Sequence, residues 1–153
     1  MMDVRWIGFG LIAAASAAGV TIFGRLGLTG VDTTLATTLR SIVMTLALVA
    51  VAVGNGSLGA LVRGETAFDA RAWRFVLLAG ACGAASWLAY FAALRLAAAG
   101  PVAALDRLSL PMVFVLGVLL LGEKPGRASW LGLLLVLVGI YLIAADAVRR
   151  SGG

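Results

Sequence analysis

Gly100-Pro101-Val102-Ala103-Ala104-Leu105-Asp106-Arg107-Leu108-Ser109-Leu110-Pro111, running on through an apolar stretch to Gly122-Glu123, decides the fold. Gly-Pro opens it as it opens many helices, because proline at the first turn has no N–H to lose. The segment is apolar enough to lie in a bilayer, yet it carries an acid, a base and an internal proline. In lipid, a charged residue near the centre of a helix costs about 2.5–3.5 kcal/mol. Pro111 has no N–H, so the carbonyl of Arg107 loses its helical partner and a bend is expected there. Such a helix requires neighbours that accept its polar groups.

The remainder of the chain has the composition to supply them. Of 153 residues, 62% are hydrophobic and 12% are charged, against about 25% charged in an ordinary soluble domain. Mean hydropathy is +1.07. This is too little polar surface to cover a water-soluble globule, and it indicates an integral membrane protein. The net charge of +5 is spread singly or in pairs between apolar runs, which marks topology determinants and not a nucleic-acid patch. A single cysteine, Cys82, excludes a disulfide within the chain. With no histidine, no zinc or haem site is expected. No phosphate loop, nucleophile elbow or nucleophile–histidine pair is present, so neither enzyme activity nor a cofactor is expected.

Five apolar segments approach the roughly 20 residues that a bilayer requires: residues 6–24, 35–54, 73–96, 101–121 and 129–148. Period-2 alternation is absent, so these read as α-helices, which satisfy their own backbone in lipid. The expectation is an all-α integral membrane protein with one five-helix domain over residues 1–148 and a short tail over 149–153. The first helix is read as retained, since no cleavage site follows it. Trp6, Trp73 and Trp130 fall at expected helix ends, as interfacial aromatics do. Asn55-Gly56-Ser57 opens a polar link of about 18 residues, read as a solvated loop whose residues 67–71 lie along the interface.

Small residues recur every four positions at Gly10, Ala14 and Ala18, and again at Ala81, Ala85, Ala89, Ala93 and Ala97. Such spacing allows close helix approach, expected mainly within one subunit. Gly132 and Gly139 share a face of the fifth helix for the same purpose. An odd number of helices places the termini on opposite sides. Arg5, Arg63, Arg71, Arg74, Lys124 and Arg127 then lie on the N-terminal side, and Arg25, Arg40, Arg95, Arg107, Arg149 and Arg150 on the other. With Arg40 and Arg107 set inside the membrane, six face four, leaning to a cytoplasmic N-terminus but weakly enough to allow insertion both ways.

The polar groups inside the spans are the candidate functional residues. Arg40 follows Thr37-Thr38-Leu39 early in the second helix, and Trp87 and Tyr90 sit midway along the third. Asp106 and Arg107 lie roughly 8 Å into the fourth, by helix rise. These residues, with Pro111, are expected to line a water-accessible cavity that takes a polar solute. Each has a plainer role open to it: Asp106 favoured by a helix N-terminus, Arg107 neutralising it or snorkelling, Arg40 an interfacial anchor, the aromatics packing. Glu123 is read as fixing the turn after the fourth helix.

Several stretches together resemble one EamA domain of the drug/metabolite transporter superfamily. They are Thr37-Thr38-Leu39-Arg40, the run from Gly83 to Leu94 containing Trp87 and Tyr90, Leu105-Asp106-Arg107-Leu108-Ser109, Leu121-Gly122-Glu123, and Trp130-Leu131-Gly132 with Gly139-Ile140-Tyr141-Leu142. Where the family often has a tryptophan in its first helix, this chain has Ala17 and Ala18. The resemblance implies a multi-pass inner-membrane transporter of metabolites or drug-like solutes. Family members usually carry two inverted five-helix domains, and one is present here. The implied partners are a small-molecule solute, the lipid bilayer, and a second copy or a homologous half. Alternative readings are an accessory or assembly membrane protein that moves nothing, and an enzyme of lipid-linked substrates, which the lack of histidine and acid clusters disfavours.

Overall fold

The computed structural model describes residues 4–27, 30–65 and 69–151. Its described residues form seven helices: α1 Arg5–Gly27, α2 Thr33–Gly54, α3 Ser57–Val62, α4 Ala70–Leu96, α5 Ala99–Asp106, α6 Ser109–Leu121 and α7 Arg127–Ser151. Five stretches are long and apolar enough to cross a membrane: α1, α2, α4, α5 with α6, and α7. The all-α, five-span expectation therefore holds, and the protein is a multi-pass membrane protein.

Helix boundaries follow local chemistry. Asp32 starts α2 by accepting the Leu35 N–H at 2.9 Å, and Asp69 starts α4 by accepting the Ala72 N–H at 2.6 Å. The latter cap begins α4 ahead of Trp73. The link after α2 is not wholly a loop. Gly56 takes φ +79°, the Asn55 side chain accepts the Ser57 N–H at 3.0 Å, and α3 follows at once. Of the stretch expected along the interface, residues 67 and 68 lie outside the described residues. α7 runs past Val148 through Arg149 and Arg150, where Arg150 pairs with Asp146 at 2.9 Å.

The fourth span corrects the sequence expectation. It is broken, and the break lies at Arg107–Leu108, upstream of Pro111. The Arg107 carbonyl is not orphaned, because the Leu110 N–H donates to it at 3.0 Å. The Arg107 and Leu108 N–H groups likewise donate three residues back, to Ala104 and Leu105. The proline ring crowds the carbonyl four residues before it, so the chain tightens there into i,i+3 bonds. Pro111 becomes the third residue of α6, where no helical N–H is required.

The chain divides into two units, Gly24–Ala92 and the remainder. In the first, α2 packs on α3 and meets α4 through long side chains. In the second, α7 packs on α5 and α6, with Phe114 edge-on to Trp130 at 6.1 Å. Few apolar side chains are buried: Phe91, Leu94, Val102, Leu133 and Ile140. Leu119, Leu120 and Leu121 are 72–76% exposed, an apolar surface that only lipid or another membrane helix can cover. A β-carbon at Gly10, Gly132 or Gly139 would meet nothing within 4 Å among the described residues.

Candidate functional site

α2 carries hydroxyls at Thr33, Thr37, Ser41 and Thr45, four residues apart on one face. Each of the last three donates to the carbonyl four residues back: Thr37 to Thr33 at 2.7 Å, Ser41 to Thr37 at 2.8 Å, Thr45 to Ser41 at 2.9 Å. This bonding satisfies the hydroxyl protons without water and leaves oxygen lone pairs able to accept. Thr37 is buried.

Arg40 sits beside this stripe. Its guanidinium carbon lies 3.9 Å from the Trp87 ring centroid and 5.1 Å from that of Phe91. Trp87, Tyr90 and Phe91 share one face of α4 through their i, i+3, i+4 spacing. Trp87 and Phe91 stack at 5.6 Å with 24° between planes, and Tyr90 meets both edge-on at 5.8 and 5.9 Å. The negative π faces offset part of the lost hydration of the cation, about 2 kcal/mol or more in a desolvated site. They leave the hydrogen-bonding edge unanswered. Arg40 Nε and Nη2 are both buried, and no described residue accepts from either.

The other unit holds Asp106, Arg107 and Pro111 at the break between α5 and α6. Eight residues of helix from Ala99 place the break roughly 12 Å along the span. Asp106 ends α5 and is exposed. Asp106 and Arg107 stand between the negative C-terminal end of α5 and the positive N-terminal end of α6, so the two helix dipoles act on each with opposite sign. Glu123 folds back on α6: its N–H donates to the Gly117 carbonyl at 3.1 Å, and its carboxylate covers the Gly117 α-carbon.

The structure thus gathers the six candidates into two groups, Arg40 with Trp87 and Tyr90, and Asp106 with Arg107 and Pro111. Sequence reading missed Phe91 and the hydroxyl stripe. Both carried a signal, Phe91 as the i+4 partner of Trp87 and the stripe as a four-residue repeat. It also missed Gly24, whose missing side chain makes room for the Phe91 ring.

Polar and charged groups held inside the spans of a lipid-facing helical protein are costly and mark candidate functional positions. Comparison with known proteins makes the class specific: the model of the EamA-like transporter family matches residues 4–145. The chain belongs to that family and is a membrane transporter. A curated relative from Sinorhizobium sp., described as an uncharacterized transporter in the cobO 3' region, is 36% identical over 143 residues, which are 94% of this chain and 99% of the relative. No solved structure matches the chain.

Proposed function

We propose that this chain is one half of a transporter that moves a small polar metabolite or drug-like solute by alternating access, the other half being a second, oppositely inserted copy. The observation that carries the reading is Arg40, a cation within a span whose Nε and Nη2 find no acceptor among the described residues. Such a group is retained at a cost, and binding a polar solute is the function that accounts for the cost. Trp87 and Tyr90 stand beside it, and in the other unit Asp106, Arg107 and Pro111 at the break in the fourth span are the second group assigned to solute handling. Broken helices supply backbone groups for binding in many transporters.

Three features support the paired arrangement. Five spans put the two ends of the unit on opposite sides, so a second copy inserted the other way supplies the inverted half. Positive charges outside the spans are nearly balanced between the two sides. The relative from Sinorhizobium sp. is matched over almost its whole length by one such unit. The test is topology: the C-terminus is tagged with paired reporters, each active on one side only. Activity on both sides is expected, and activity on one side alone overturns the homodimer.

A further inference from the structure

Resting on that reading, we infer that the solute carries an oxyanion with two acceptor oxygens side by side, a carboxylate, and that it docks on the Nε/Nη2 edge of Arg40. The two unanswered nitrogens are not an arbitrary pair. Nε–H and the adjacent Nη2–H point the same way along one edge of the planar guanidinium and form a fork that matches a carboxylate. The same chain shows this mode at Arg63, whose Nε and Nη2 hold the two oxygens of Glu65 at 2.6 and 3.2 Å. At Arg40 the fork is preset. The guanidinium carbon lies over the rings of Trp87 and Phe91, contacts that answer its charge but take none of its N–H groups, so the Nε and Nη2 hydrogen bonds are still to be made. A neutral amide offers only one acceptor to the fork and sets its NH₂ against the second N–H.

The edge is closed to solvent in this conformation. A carboxylate therefore reaches it only when surrounding side chains move apart. Leaving two charged donors unpaired disfavours the closed form, and an oxyanion that pairs with them favours the open one. One residue thereby links solute chemistry to the conformational change that alternating access requires.

The test uses the purified full-length protein in detergent, with Trp6, Trp73 and Trp130 replaced by phenylalanine so that Trp87 fluorescence reports on the site. The probes are acetate, butyrate, benzoate and phenylacetate, the amide of each, inorganic phosphate, and a short-chain phosphatidylglycerol. Saturable change with carboxylates is expected, with binding about 10- to 100-fold weaker for the amides and for Arg40→Gln. Arg40→Lys should fall between, because a lysine keeps the charge but not the fork. The inference is overturned if amides bind as the acids do, if Arg40→Gln binds like the parent, or if no carboxylate gives a signal. It is also overturned if phosphate or the phospholipid binds more tightly than every carboxylate, the latter marking Arg40 as a lipid anchor. Retained helical circular dichroism and a monodisperse elution profile establish that each variant is folded. Binding without flux in proteoliposomes would sink the transporter reading and leave the carboxylate site. Flux independent of Arg40 would do the reverse.

Discussion

The ring of Phe91 fills the space that a β-carbon at Gly24 would occupy, bringing the end of α1 into direct contact with the aromatic cluster that holds Arg40. Phe91 is 3% exposed, so the ring has little room to retreat. Alanine in place of a helical glycine ordinarily gains roughly 0.5–1 kcal/mol. At Gly24 the sign should reverse. Gly24→Ala is expected to destabilise the protein by about 1–3 kcal/mol, the usual range for overpacking. Unfolding in mixed detergent micelles measures it, and Phe91→Leu in the same chain should recover much of the loss. A stabilising Gly24→Ala would show that the ring moves freely.

Gly117 makes a useful contrast. A β-carbon there would lie 2.7 Å from Glu123 Oε2, also closer than real β-carbons approach. The obstacle here is the far end of a flexible, exposed side chain, not a buried ring. Gly117→Ala should therefore change stability by less than about 1 kcal/mol, since the carboxylate swings outward and helix propensity repays part of the cost. The same unfolding measurement decides it. A loss as large as that of Gly24→Ala would mean that the Glu123 carboxylate is fixed in place and the turn depends on it.

The number of spans was legible because length and apolarity alone determine it: a helix in lipid cannot be shorter than the bilayer. The candidates of α2 and α4 were legible for the related reason that polar residues stand out in an apolar sequence. Their pairing was not. Arg40 and Trp87 are far apart in the chain, and no periodicity says which helices meet. The break in the fourth span was misplaced because proline was credited with removing a hydrogen bond, whereas its ring acts on the carbonyl four residues earlier and the chain closes that gap with shorter bonds. Gly24 was unreadable, since a glycine needed for a neighbour's ring looks like any other glycine in the sequence.

The contact between Arg40 and Trp87 should be measurable as a coupling. Trp87→Leu removes a π face 3.9 Å from the guanidinium carbon and sets a half-buried cation against an aliphatic wall. In an Arg40→Met background there is no cation to stabilise, and the same substitution should cost less. A double-mutant cycle on unfolding free energies is expected to give a coupling of about 1–2 kcal/mol. A coupling indistinguishable from zero would mean that the ring serves only as packing, and Arg40 would then need another source of stabilisation.

Asp106 offers the sharpest functional test, because its structural usefulness is small. It is exposed, it lies between the ends of α5 and α6 whose dipoles oppose each other there, and its charge is costly inside a span. Asp106→Asn keeps the shape of the side chain and removes the charge, so insertion and stability should be unchanged or slightly improved. Proton- or cation-coupled movement, followed with a pH-sensitive dye or by imposing ion gradients on proteoliposomes, should nevertheless be abolished. That combination, a sounder protein that no longer couples, separates a working carboxylate from a structural one. Wild-type coupling in the Asn variant would remove Asp106 from the mechanism and leave Arg107 and the break itself as the contribution of the fourth span.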